Sequence, residues 1–254
     1  MLNLLDYLLI ALAALAAGAI NALAGGGTLI TFPVLTAVGI PAVAANMTNT
    51  VALCPGYLGG ILSQFKDLQG QARRLWLFIP AGIIGGLLGG LLLQVTGEHL
   101  FYELVPYLIL IAAGLLASQK QVHAWLTRRK QSAESATGSD SWGLIPVGVA
   151  AIYGGYFGAG MSVIVLAILG ITIDDTLTRL NALKQVVSFS TNVAAAVFFV
   201  FSRKIVWPVA VVMFIGALLG GALGGKLAGR VKPAVLRQVV VVIGVVVAIY
   251  YFVH

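Results

Sequence analysis

Along the 254 residues, apolar runs alternate with short polar joints near 64–74, 96–103, 119–142, 202–204 and 226–237. The runs are continuous rather than alternating, which predicts membrane-spanning helices and not barrel strands. Two runs are interrupted. In NALAGGGTLITFP, residues 21–33, three glycines break the apolar pattern, and YGGYFGAGMSVIVLAILG, residues 153–170, contains a similar break. A helix over 28–38 would be about 16 Å long, half of a hydrocarbon core of about 30 Å. Residues 4–38 and 143–172 are therefore expected to form re-entrant hairpins with glycine apices. Each is followed by three spans, at 42–63, 75–95 and 101–118, then at 177–201, 205–225 and 234–253. The arm 4–23 is long enough to cross a bilayer by itself, and if it does, the chain is an eight-span parallel repeat.

The two halves correspond. Gly25 to Thr28 match Gly158 to Met161, Asn46 to Thr50 match Asn181 to Gln185, and Gly85-Gly86 and Gly89-Gly90 match Gly220-Gly221 and Gly224-Gly225. Lys66, Arg73 and Arg74 precede the glycine-rich helix of the first half, and the joint after it, 96–103, has no Lys or Arg. In the second half Arg203 and Lys204 precede the matching helix, but Lys226, Arg230, Lys232 and Arg237 follow it. Basic joints face the cytoplasm, so the halves are expected to point in opposite directions. The predicted fold class is an all-α polytopic membrane protein of two homologous, inverted repeats. Residues 1–118 form the first, 119–142 a cytoplasmic linker with a flexible Ser/Thr/Gly tail, and 143–254 the second.

Composition agrees: 60% of residues are hydrophobic, 9% are charged and the mean hydropathy is +1.02, outside the range of soluble globular proteins. The start MLNLLDYLL has no basic region and no cleavage site, so it reads as a retained first membrane segment. The net charge of +7 is spread over the joints, where positive-inside topology explains it without a nucleic-acid partner. Cys54 is the single cysteine, which excludes an intrachain disulfide and a CxxC redox pair.

Helix breaks in hydrocarbon are tolerated only where they are buried in protein or line a cavity. After Gly26-Gly27 and after Gly160 a half-helix would begin with free N–H groups and a positive dipole end, both favouring an anion, with Thr28 and Ser162 adding hydroxyls. The alternative is that these glycines only let helices approach closely. Asn46, Asn49 and Thr50 share one helix face, as do Asn181, Lys184 and Gln185, and Ser188 and Asn192 continue the second stripe. Lys184 is either a charge held within the span or a lysine snorkelling to a wet helix end. The ladders Gly82-Gly86-Gly90 and Gly216-Gly220-Gly224 read as packing surfaces. Trp76 and Trp207 read as interfacial anchors. No enzyme signature stands out: His99, His123 and His254 are placed in loops or at the terminus, and all eight carboxylates near segment ends or in loops.

GAINALAGGGTLITFPVLTAVGIPAVAANMTNTVAL, residues 18–53, resembles the sulfite exporter TauE/SafE family of membrane permeases. Residues 153–170 and RLNALKQVVSFSTN, 179–192, echo it. In the second half Leu166 stands where Pro33 would repeat, and Lys184 replaces the counterpart of Asn49, so the half-sites are unequal. The resemblance implies export of small sulfur-containing anions such as sulfite or organosulfonates across a bacterial cytoplasmic membrane. The expected substrate-binding set is Gly26, Gly27, Thr28, Asn46, Asn49, Thr50, Gly160, Ser162, Asn181, Lys184, Gln185 and Asn192. No cofactor and no metal are expected. The expected partners are a small anion and the lipid bilayer, with a homo-oligomer open. A passive anion channel and a non-transporting accessory subunit are the rival readings.

Overall fold

A computed structural model describes residues 2–23, 26–131, 140–227 and 233–253. Among the described residues the regular structure is entirely helical. The first hairpin is α1 (Leu4–Leu23) and α2 (Thr28–Ala37), followed by α3 (Ala42–Leu53), α4 (Gly56–Ser63) and the long α5 (Ala72–Gln131). The second hairpin is α6 (Leu144–Tyr156) and α7 (Met161–Thr172), followed by α8 (Leu177–Val200), α9 (Trp207–Leu227) and α10 (Pro233–Val253). Gly25 and the segment 132–139, the expected flexible tail, lie outside the described residues.

Three boundaries differ from the hydropathy pattern. The span expected at 42–63 is two helices, because Pro55 cannot donate to the preceding turn and the chain restarts after Cys54-Pro55. The spans expected at 75–95 and 101–118 form one element that changes direction only at Gly97 (φ 74°, ψ 177°), a conformation that a side chain would strain. Helix also continues over 119–131, where polar residues replace apolar ones without any helix breaker. Five helices are long and apolar enough to cross a membrane, and the stretch Ala72–Arg129 has 58 residues, enough for two crossings separated at Gly97.

Hydrogen bonds fix the relative direction of α3–α4 and α8. The Glu98 carboxylate, at the Gly97 corner, accepts from the Val43 N–H at 3.1 Å and caps the start of α3. Thr48 Oγ1 accepts from Val206 N–H at 3.1 Å, just past the end of α8. At the other end, Gln71 Nε2 donates to the Arg179 carbonyl at 3.1 Å and Asn181 Nδ2 to Gln64 Oε1 at 3.3 Å, joining the end of α4 to the start of α8. The two helices therefore run antiparallel.

The glycine ladders are where hairpin helices meet long helices. Gly216, Gly220 and Gly224 of α9 face Ala11, Leu15 and Ala19 of α1, and a Cβ on Gly220 would lie 1.9 Å from the Leu15 carbonyl oxygen. Gly85 and Gly89 of α5 face Ala151 and Ile152 of α6, with 2.1 Å from a Cβ on Gly89 to the Ile152 oxygen. Each hairpin thus packs on a helix of the other half. The outward faces are apolar, as at Leu88, Leu92, Phe214, Leu219, Val246 and Ile249, which suits contact with lipid.

Arg74 and Arg179 both hold Asp175, in the joint before α8, with Arg179 Nε at 2.9 Å. Burial pushes the Asp175 carboxyl up, but hydrogen bonds from Arg179, Arg74 and the Thr176 N–H outweigh it and hold the group below the usual carboxylate range. A depressed folded-state pKa gives stability that is fully present above the unfolded value and lost as pH falls through the folded one. Thermal unfolding in detergent should therefore lose stability below about pH 4, and Asp175→Asn should flatten that acid limb. Gly220→Ala should cost about 1–3 kcal/mol by forcing α1 and α9 apart. Gly114→Ala, where nothing lies within 4 Å of the added carbon, should be neutral or stabilising in the same assay.

Candidate functional site

The two glycine breaks come to one place. Gly26 (φ 93°) lies against Leu116, and Gly160 (φ 79°) against Leu115 and Ala112, so both rest on adjoining turns of the second arm of α5. Phe32 of α2 packs edge-on against Phe157, beside the second break, with ring centroids 5.5 Å apart. Phe101 stands 6.3 Å from Phe32 and 5.6 Å from Tyr156.

At the first break the half-helix start is not left free. The Gly27 N–H donates to Asn21 Oδ1 at 2.8 Å, and the Leu29 and Ile30 N–H groups turn back onto the carbonyls of Gly26 and Gly27 at 3.0 Å each. Asn49 Nδ2 donates to Thr28 Oγ1 at 3.3 Å, while Asn49 Oδ1 accepts from Thr31 Oγ1 at 2.5 Å. Asn49 is 2% exposed and Thr31 is buried, so this clamp of α3 on α2 is buried on the Thr31 side and half-buried at Thr28. At the second break Asn46 Nδ2 donates to the Tyr156 carbonyl at 2.8 Å, and Tyr153 Oη donates to the Ala159 carbonyl at 2.7 Å. Asn46 Oδ1 and Ser188 Oγ are buried without a hydrogen-bond partner.

Gly26, Gly27, Thr28 and Asn49 thus form one cluster, and Asn46 reaches across to the other break. Asn192 lies near Gly158 and donates to the Ser188 carbonyl at 2.8 Å. Thr50 Oγ1 bonds its own helix at the Asn46 carbonyl, 2.9 Å away. Ser162 and Gln185 are half-buried. Asn181 and Lys184 form a separate pair, with Lys184 Nζ donating to Asn181 Oδ1 at 2.6 Å and Asn181 tied to Gln64. Asn21, Thr31 and Gln64 were not expected from the sequence. Asn21 carried a signal, standing six residues before the glycine whose N–H it receives. His123 is on the α5 helix and not in a loop. A groove of about 500 Å³ between α5 and α6, lined by Trp76, Pro80, Ile84, Leu88, Ile145 and Val149, is apolar and offers no group suited to an anion.

The family model for the sulfite exporter TauE/SafE matches residues 10–251. The chain belongs to the sulfite exporter TauE/SafE family. A "Probable membrane transporter protein" of Haemophilus influenzae is 30% identical over 232 residues, 89% of this chain and 86% of that protein. "Probable membrane transporter protein YfcA" of Escherichia coli K12 is 25% identical over 237 residues, 92% of this chain and 85% of that one. "Probable membrane transporter protein ORF9" of Sinorhizobium sp is 25% identical over 256 residues, covering 97% and 92%. No solved structure matches the chain. This TauE/SafE chain is a multi-pass membrane protein of a transporter family and not an enzyme.

The clamp has a direct test. Asn49→Ala removes a donor from the half-buried Thr28 hydroxyl and an acceptor from the buried Thr31 hydroxyl and should cost about 1–3 kcal/mol. Thermal unfolding in detergent should report that loss, and hydrogen exchange should rise at residues 28–31.

Proposed function

We propose that this TauE/SafE chain is a secondary transporter that exports small sulfur-containing anions such as sulfite or organosulfonates, with two inverted repeats enclosing the anion near the midplane. The observation that carries the reading is the meeting of two interrupted helices, one from each half, on residues 112–116 of α5. Interrupted helices meeting at a repeat interface are the usual construction of a transport site. The polar groups around the breaks are neutral amides and hydroxyls, chiefly Thr28, Asn46, Asn49, Ser162 and Asn192. Glu98 stands at the Gly97 corner and Asp175 in the joint before α8, each held by partners there. An anion would meet no repelling charge from the amides and hydroxyls, and their donors, now engaged with protein acceptors, would become available to it only when those contacts exchange. Gln185 extends the donor set on α8, and Lys184 with Asn181 supplies the positive charge.

Inversion is supported by the antiparallel course of α3–α4 and α8, whose starts match in sequence. It is supported too by α6, whose 13 residues are about 20 Å long and too short to cross a core of about 30 Å. Residues 1–118 and 143–254 are the repeats in this reading, joined by the cytoplasmic linker 119–142. Alternating access follows from rocking one repeat against the other, and the break contacts made by Asn46 and Asn49 would be among those exchanged.

Two measurements decide it. In proteoliposomes, saturable sulfite counterflow should be seen, and Asn46→Ala should lower its maximal rate by roughly tenfold or more, the size expected when a positioned donor is lost; ohmic anion currents without counterflow would support a channel instead. In a Cys54→Ser background, single cysteines at Gln69 and Arg203, in corresponding joints, should label from opposite sides of the membrane. Labelling from one side would show parallel repeats.

A further inference from the structure

The groove between α5 and α6 has one wall made by Trp76, Pro80, Ile84 and Leu88, spaced by four along α5, and another carrying Ile145 and Val149 of α6. Beneath it the helices meet at glycine, where a Cβ on Gly85 would lie 2.4 Å from the Ala151 Cβ. Gly148 also lines the groove, and a Cβ there would meet nothing within 4 Å, so the space above it is open. The wall side chains are exposed on the outward face, where an apolar groove of about 500 Å³ is filled by hydrocarbon and not by water. From Trp76 to Leu88 the groove follows about 18 Å of helix, against about 15 Å for one leaflet's half of a core of about 30 Å. It has the length and direction of a single acyl chain.

One end of the groove is marked by aromatic residues. Trp76 is 82% exposed and Trp142 75% exposed. A Cβ on Gly143 would lie 3.2 Å from the Phe78 ring, so the two indoles flank the same end. Indoles in such positions sit at the level of lipid headgroups. Arg73 stands about 4.5 Å beyond Trp76 along the axis and on the same helix face as Trp76, Pro80 and Ile84. It is exposed, and the ion pairs described at this end join Arg74 and Arg179 to Asp175 without Arg73. The basic joint 64–74 belongs on the cytoplasmic side, where the leaflet surface is negative.

We propose that this groove holds one anionic phospholipid, with an acyl chain between α5 and α6 and the phosphate at Arg73. A guanidinium fork matches phosphate geometry, and a basic group at the cytoplasmic end of an interhelical groove is the usual setting for an anionic headgroup. Because α6 is the first arm of the second hairpin, the lipid braces the arm that leads into the break at Gly158–Gly160. The proposal does not depend on what the protein transports.

The test uses the full-length protein, purified in detergent and stripped of lipid, with phosphatidylglycerol and phosphatidylcholine as probes and native mass spectrometry as the readout. Wild type should retain phosphatidylglycerol over phosphatidylcholine by about fivefold, the preference expected of one arginine near a charged surface. Arg73→Gln should bring that ratio close to one and leave phosphatidylcholine retention unchanged. Gly148→Leu fills the groove from its open side and should lower retention of both lipids by roughly tenfold, as burial of about two methylenes is lost. Phosphatidylglycerol should also slow hydrogen exchange over residues 144–152 in wild type and not in Gly148→Leu. A preference retained in Arg73→Gln, or unchanged retention in Gly148→Leu, means a nonspecific lipid annulus and overturns the proposal. A wild-type dimer that excludes lipid and dissociates in Gly148→Leu overturns it too, because the groove then belongs to a second copy. Unliganded thermal unfolding identifies a variant that fails to fold, and Arg73→Gln, at an exposed position, then carries the measurement.

Discussion

A helix broken inside hydrocarbon leaves backbone N–H and C=O groups with no water to receive them, and each must find a partner within the protein. This chain interrupts two apolar helices, at Gly26-Gly27 and at Gly158–Gly160, and side chains packed around each interruption supply the partners. Asn21 takes the N–H of Gly27, Asn49 ties the hydroxyls of Thr28 and Thr31, Asn46 donates to the carbonyl of Tyr156, and Tyr153 donates to that of Ala159. The two breaks are served differently. In the first a side chain accepts from a stranded N–H, and in the second side chains donate to stranded carbonyls.

The same need explains why the hairpins are exchanged between halves. A break can be enclosed only if its arms lie against intact helices at close range, and close range requires glycine on one side of the contact. α9 offers Gly216, Gly220 and Gly224 to α1, and α5 offers Gly85 and Gly89 to α6. Asn46 then crosses from one half to the break of the other. A shift of either half would disturb both breaks, which links the backbone clamps to any rocking motion.

Polarity is graded along the second arm of α5. Phe101, with Phe32, Tyr156 and Phe157, forms an aromatic layer near the Gly97 corner. The breaks follow at residues 112–116, where the polar groups are amides and hydroxyls. Gln119 and His123 come next on the same helix, both half-buried.

The sequence by itself determined that the chain is helical and membrane-embedded, and that glycines at 26–27 and 160 interrupt two helices. Hydropathy, glycine and proline act locally, so their consequences are visible in local order. The pairings Asn49 with Thr28 and Thr31, and Asn46 with Tyr156, link residues far apart in the chain, and only tertiary contact could decide them. The same holds for His123. A fall in hydropathy after residue 118 looked like the end of a helix, whereas polar residues with good helix propensity carried α5 on to Gln131 and put an apparent loop histidine on that helix. Hydropathy measures how well a residue tolerates lipid; whether the backbone stays helical, and which polar groups meet, depends on what packs against it.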